Sequence, residues 1–105
     1  MIVQENQVVD TGKHLAMTSN LFVNTDKETL FINFQNIGEE QVPACSFKFS
    51  HPTGASMMWE TLSKLGYKVG EVIPDDVVVP LARQCEISVT KNGSYKNSSI
   101  DSVSG

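Results

Sequence analysis

His51-Pro52-Thr53-Gly54-Ala55-Ser56-Met57-Met58-Trp59-Glu60-Thr61-Leu62-Ser63-Lys64-Leu65-Gly66 is the stretch on which the reading of this chain turns. Ala55, Met58, Trp59, Leu62 and Leu65 recur at the 3.6-residue period of a helix with one buried face, while Glu60 and Lys64 share the wet side at i,i+4 spacing. The spacing predicts a helix over 55–65. Thr53 or Ser56 would cap its start, and Gly66 has the place and type of a residue that ends a helix in the left-handed conformation. On such a stripe Trp59 reads as core rather than as a ring offered to a ligand.

Downstream, Tyr67 to Val72 is short and mixed. Pro74-Asp75-Asp76 reads as a turn or a single helical turn, with the two aspartates capping it, and Val77-Val78-Val79-Pro80-Leu81 brings apolar residues back before Pro80 limits regular structure. From Gln84 to Thr90 the chain alternates, Cys85, Ile87 and Val89 against Glu86, Ser88 and Thr90, as a half-buried strand does. Asn92-Gly93 is the hairpin signal, because both central residues of a type I′ turn need φ > 0. The returning strand, Ser94 to Val103, carries Tyr95, Ile100 and Val103; the last two differ in parity, which predicts a bulge or fraying. The last eight residues are rich in serine and are expected to be loose.

Upstream of the helix the pattern is of strands. Gln7 to Asn24 alternates loosely, with Leu15, Met17, Leu21 and Val23 on one parity and His14, Ala16, Asn20 and Phe22 on the other; Thr11-Gly12-Lys13 and Ser19-Asn20 mark bends or a bulge in one long or broken strand. Asn24-Thr25-Asp26-Lys27 is a turn. Glu28 to Gln35 follows with Leu30, Ile32 and Phe34 on one face and Thr29, Phe31 and Asn33 on the other, so Phe31 points away from the main apolar set. Asn36 to Glu40 turns again, and Val42 to Ser50 is a third strand whose Pro43 suits a beginning or an edge.

Bulk properties bound the class. A chain of 105 residues fits one domain, able to bury roughly two-thirds of its unfolded surface. Met1 is followed by neither a basic segment nor an apolar run of signal length, and nothing approaches the ~20 apolar residues of a membrane span, so a cytoplasmic protein without membrane contact is expected. Cys45 and Cys85 lie in strand alternation without CxxC spacing and read as buried, reduced thiols. A net charge of −4 gives no general pull toward nucleic acid, although a local basic groove can coexist with an acidic remainder. With Arg83 as its single arginine, the chain is poorly equipped to read base edges in duplex DNA.

The order is three strands, a helix and two strands, which is that of an OB-fold, a mainly β, five-stranded antiparallel barrel with one helix between strands three and four. The C-terminal half further resembles the small OB-fold single-stranded DNA-binding proteins of bacteriophage replication and recombination cassettes. The matching pieces are the helix end Trp59 to Tyr67, the acidic Ile73-Pro74-Asp75-Asp76-Val77, the strand Gln84 to Thr90, and Lys91-Asn92-Gly93-Ser94-Tyr95-Lys96-Asn97. The resemblance covers about Val42 to Val103. It implies a DNA replication or recombination role in the cytoplasm of a bacterial host, single-stranded DNA as ligand, replication or recombination proteins as further partners, and room for a homo-oligomer. The chain departs from the family in its small basic set and in ending without an acidic tail.

Binding single strands without sequence preference needs aromatic faces for bases and cations that follow the phosphates. Phe31 and, more weakly, Phe22 are the strand candidates for stacking, and Tyr95 joins them beside the hairpin turn. Lys48, Lys91 and Lys96 are the candidate cations. Each has a plain alternative: Phe31 on a second covered face, Tyr95 as a cross-strand packing residue, the lysines as charges that blunt an edge strand. His14 and His51 have no partners at metal-ligand spacing, Cys85 lacks a local His, and no nucleophile elbow or phosphate-cradling loop occurs. A non-enzyme with no cofactor and no metal is expected. The competing expectation is a β-sandwich protein–protein interaction module or a phage-encoded inhibitor of a host protein, and the amphipathic helix in mid-chain is what argues against a sandwich.

Overall fold

The computed structural model describes residues 8–104; Gln7, where the first strand is expected to begin, lies outside them. Six strands and one helix follow in order: β1 Gly12–Asn24, β2 Thr29–Phe34, β3 Cys45–Lys48, α1 Pro52–Lys64, β4 Val78–Pro80, β5 Gln84–Asn92 and β6 Tyr95–Val103. The strands form one antiparallel sheet in the order β3-β2-β1-β5-β6, with the short β4 also on β1.

β1 organises the sheet because it changes partners midway. Its first half, Gly12 to Met17, pairs with β5, and its second half, Asn20 to Asn24, lies between β2 and β4. The register shifts between Thr18 and Asn20, and the side chains change faces there. Ala16 and Thr18 point inward before the shift, Leu21 and Val23 after it. The expectation that Leu15 and Met17 share a face with Leu21 and Val23 is therefore overturned; they are 58% and 38% exposed. Thr18 holds the junction: its hydroxyl donates to Leu81 O at 2.9 Å and accepts from Arg83 N at 2.8 Å, so the side chain most deeply buried at the bend has both roles satisfied. Because β1 joins both halves, the sheet is continuous rather than the two facing sheets of a sandwich.

The helix fulfils its stripe. Met58, Leu62 and Leu65 are buried, Trp59 packs half-buried against the core, and Gly66 takes φ 101° beyond the last turn. Its start lies earlier than expected, with Pro52 in the first turn and His51 as the N-cap residue making no side-chain cap, so neither Thr53 nor Ser56 has that part. Gly54 is required there for space. A Cβ at this position would collide with the Lys48 carbonyl oxygen at the end of β3.

Several boundaries move. β3 is shorter than Val42 to Ser50, and Val78–Pro80 forms an extra edge strand where Pro80 was expected to limit structure. Asp76 caps no helical turn; it takes φ 57° and accepts from the Thr25 amide and hydroxyl at 3.1 and 2.6 Å, tying the approach to β4 to the β1–β2 turn. These bonds hold its carboxyl below the usual range. In the last hairpin Asn92 pairs with Tyr95, so the loop is Gly93-Ser94, with Gly93 at φ 64° and no positive φ at Ser94. Glycine at the first central position is the II′ arrangement, not the I′ turn centred on Asn92-Gly93. The predicted bulge is present, since Glu86 pairs with Ser102 but Ile87 with Ile100. The serine-rich end is strand as far as Val103 rather than loose.

The core comprises the inward residues of both halves, among them Leu21, Leu30, Ile32, Leu62, Ile87 and Ile100. Cys45 and Cys85 lie in it as free thiols. Burial pushes the Cys45 thiol up to about 12, and burial raises Cys85 as well, opposed by the Arg83 charge. The sheet is not closed into a barrel: its end strands β3 and β6 approach one another without a hydrogen-bonded ladder. α1 lies against both, and Lys64 Nζ donates to Ile100 O on β6.

Candidate nucleic-acid interface

The outward face of the β4-β1-β2-β3 region is laid down by strand alternation. With Leu21, Val23, Leu30 and Ile32 inward, Phe22 and Phe31 must point out, and the register sets them directly opposite one another. Opposed residues have Cβ atoms about 4.5–5.5 Å apart, so the rings are neighbours. Val78 on β4 and Ser46 on β3 continue the row, which runs Val78, Phe22, Phe31, Ser46 across four strands. Both phenylalanines are half-buried rather than covered. Lys48 is exposed on the same face, opposite Thr29 and diagonal to Phe31, a separation of about 7–8 Å at Cβ.

The adjoining row is polar. Asn20 and Asn33 face one another, and Asn33 Nδ2 donates to Asn20 Oδ1 at 2.7 Å, with Pro80 next to Asn20 on β4. Sequence reasoning did not single out Asn20, Asn33 or Val78. The first two were findable, since each lies two residues from a chosen phenylalanine and so on its face; Val78 depended on a strand that was not foreseen.

Lys91, Tyr95 and Lys96 form a second group. Lys91 and Lys96 are opposite each other in the β5–β6 register, a like-charge pairing that weakens a hairpin unless something else satisfies it. Lys96 Nζ donates to Val9 O at 2.9 Å, while Lys91 stays exposed. Tyr95 is 75% exposed. With Val8, Gln41, Val42, Pro43 and Ser94 these three line a groove of about 440 Å³ at the hairpin end of the opening between the β6 side and the approach to β3. The six candidates are therefore brought into two groups of three and not into one. Phe22 lies ten residues along β1 from Gly12, which pairs with Val89 below the hairpin tip, about 33 Å along an uncurled strand.

Neither group contains a charge relay or an activated nucleophile, and among the described residues no three His, Cys, Asp or Glu side chains gather as metal ligands. What the arrangement offers chemically is flat apolar surface, amide edges and separated cations. No helix among the described residues is long and apolar enough to cross a membrane. Comparison with family models, curated proteins and solved structures found no match for this chain.

Proposed function

We propose that this chain is a non-enzymatic single-stranded DNA-binding protein of phage or mobile-element type, with an OB-like barrel as its frame. The observation that carries the reading is the Phe22–Phe31 pair, half-exposed and side by side on the outward sheet face with the Lys48 cation diagonal to it. Two adjacent rings offer stacking surface to successive bases at about 1–3 kcal/mol each, whatever the base, and a nearby ammonium meets the phosphate. The strand order supports the barrel, because joining β3 to β6 would close the ring, and OB-folds are partly open barrels that bind oligonucleotides on the face of strands two and three and on flanking loops. Lys91, Tyr95 and Lys96, on the strand ends that flank the loop between β5 and β6, supply a second contact along the same strand of DNA. The working location is the host cytoplasm, with replication or recombination proteins as the partners that meet the coated strand.

Labelled oligo-dT is expected to bind with an affinity that falls as salt rises, with duplex of the same length bound far more weakly. Fluorescence polarisation across a salt series, run with single-stranded DNA, RNA and duplex, makes the measurement. Absence of binding to any single strand at low salt would sink the reading.

A further inference from the structure

The sheet is open between β3 and β6, and the free edge of β6 is not covered evenly along its length. Asn92 and Tyr95 close a two-residue loop as a hydrogen-bonded pair, so the next pair, Lys91 with Lys96, is a non-bonded one. The main-chain N–H and C=O of Lys96, and of Ser98 and Ile100 at the same parity, therefore point away from β5. At Ile100 the helix meets that edge, since Lys64 Nζ donates to Ile100 O at 3.4 Å. At Lys96 and Ser98 no main-chain group among the described residues does so. Ser98 is buried, and its Oγ has no hydrogen-bond partner among the described residues either, a costly condition for a hydroxyl.

This stretch of edge borders the groove of about 440 Å³ that Lys91, Tyr95 and Lys96 line together with Gln41, Val42 and Pro43. Strand alternation puts Lys91 and Lys96 at the end of the inward row that contains Val89, Ser98 and Ile100. Among the described residues no carboxylate lines the groove, on a chain whose net charge is −4.

We propose that this groove docks an extended acidic segment of a partner protein, added antiparallel to β6 as a further strand. A peptide strand brings both an N–H and a C=O to the edge, as Lys96 and Ser98 require. A nucleic-acid backbone brings phosphate acceptors and leaves the carbonyls of β6 unmet. Acidic side chains at every second residue of the guest fall on the face of Lys91 and Lys96. They relieve the repulsion between these two lysines, which oppose one another in the register, and one opposite Ser98 offers its hydroxyl an acceptor. The inference goes beyond the strand-binding reading and does not depend on it.

The probe is a fluorescein-labelled peptide of alternating aspartate and valine, read by polarisation beside the same peptide with its main-chain nitrogens methylated. Wild-type protein is expected to bind the first peptide, more weakly as salt rises. The methylated peptide should bind about 10-fold less tightly, having lost its donors to the edge. Lys91→Glu should weaken the first peptide about 5-fold or more, because it sets a carboxylate against the acidic guest. The same change places opposite charges across the ladder at Lys96, so the thermal midpoint should equal or exceed that of wild type, and unfolding does not account for the loss. No binding of the unmethylated peptide at low salt overturns the proposal; if Lys91→Glu nevertheless weakens oligo-dT, the groove serves nucleic acid instead. Equal binding of the two peptides overturns strand addition, and undiminished peptide binding by Lys91→Glu overturns the assignment to this groove. Failure of oligo-dT to bind wild type touches the strand-binding reading alone.

Discussion

The strand face with Phe22, Phe31 and Lys48 and the hairpin groove with Lys91, Tyr95 and Lys96 carry the same residue classes on very different supports. On the face, each ring is bounded by strands on both sides and stays half-buried, so its apolar area contributes to folding and to any ligand alike. At the hairpin, Tyr95 is 75% exposed and Lys91 has only the opposing Lys96 across the ladder. Residues of the first kind are pre-organised and hard to change without loosening the sheet. Those of the second kind can change freely, and ordering them is a cost deferred to binding. Composition does not distinguish the two; the number of paired neighbours does.

The sharpest way to break the comparison is Phe22→Ala with Phe31→Ala. Each ring is expected to take about 1–3 kcal/mol from oligo-dT binding, with a combined loss below the sum because the two are directly opposed across β1 and β2, and the thermal midpoint should fall as well. Unchanged affinity in a folded double variant would leave the rings with packing alone.

Thr18→Val cuts the junction between the regions. Losing the hydroxyl leaves Leu81 O and Arg83 N without their partner, at about 1–3 kcal/mol of stability in urea unfolding. If the halves behave as one sheet, both should lose protection in hydrogen exchange together.

Alkaline pH probes the floor under each region, Cys45 beneath β3 and Cys85 beneath β5. A thiol raised by burial stays protonated in the folded chain while the unfolded one ionises near the ordinary thiol value of about 9. The folded state then binds more protons, so stability falls as pH climbs above about 9, by about 1.4 kcal/mol per pH unit for each thiol that remains protonated. For Cys45 the decline continues toward about 12. Cys45→Ala should flatten the urea-midpoint profile across that range.

Smaller effects belong to the hairpin. Tyr95→Ala should weaken oligo-dT by about 1 kcal/mol and leave the thermal midpoint where it was, the reverse of the phenylalanines. Lys48→Ala and Lys91→Ala should each lower the salt slope of binding by about 0.7. An unaltered slope in Lys91→Ala would confine the strand to the sheet face.

The parts of this architecture visible beforehand are those written in local periodicity. The helix stripe, Gly66, the alternation around Ile32 and Ile87 and the outward parity of Phe31 all depend on residues within a few positions of each other. The bend at Ser19-Asn20 was visible too, but its result was not, because the change of face follows from Thr18 bonding to Leu81 and Arg83 more than sixty residues away. Asp76 is similar: its role is set by Thr25, and nothing near Asp75-Asp76 announces it. The last hairpin closes one residue later than its Asn-Gly dipeptide suggests, because the β5–β6 register pairs Asn92 with Tyr95 and leaves Gly93-Ser94 as the loop. Of the candidate interface, single side chains could be nominated, while their division into two groups is a property of the sheet order.

Gly54 has a consequence for descent and redesign. Its Cα lies against the Lys48 carbonyl with no room for a methyl group, so at this point the helix start and the strand that carries the Lys48 cation meet main chain to main chain. A lineage that acquired any side chain at residue 54 would have to reposition residue 48 in the same step, and grafts that exchange the helix without the end of β3 should fail. Positions 48 and 54 are in that sense one heritable unit, although only one of them has a side chain to inherit.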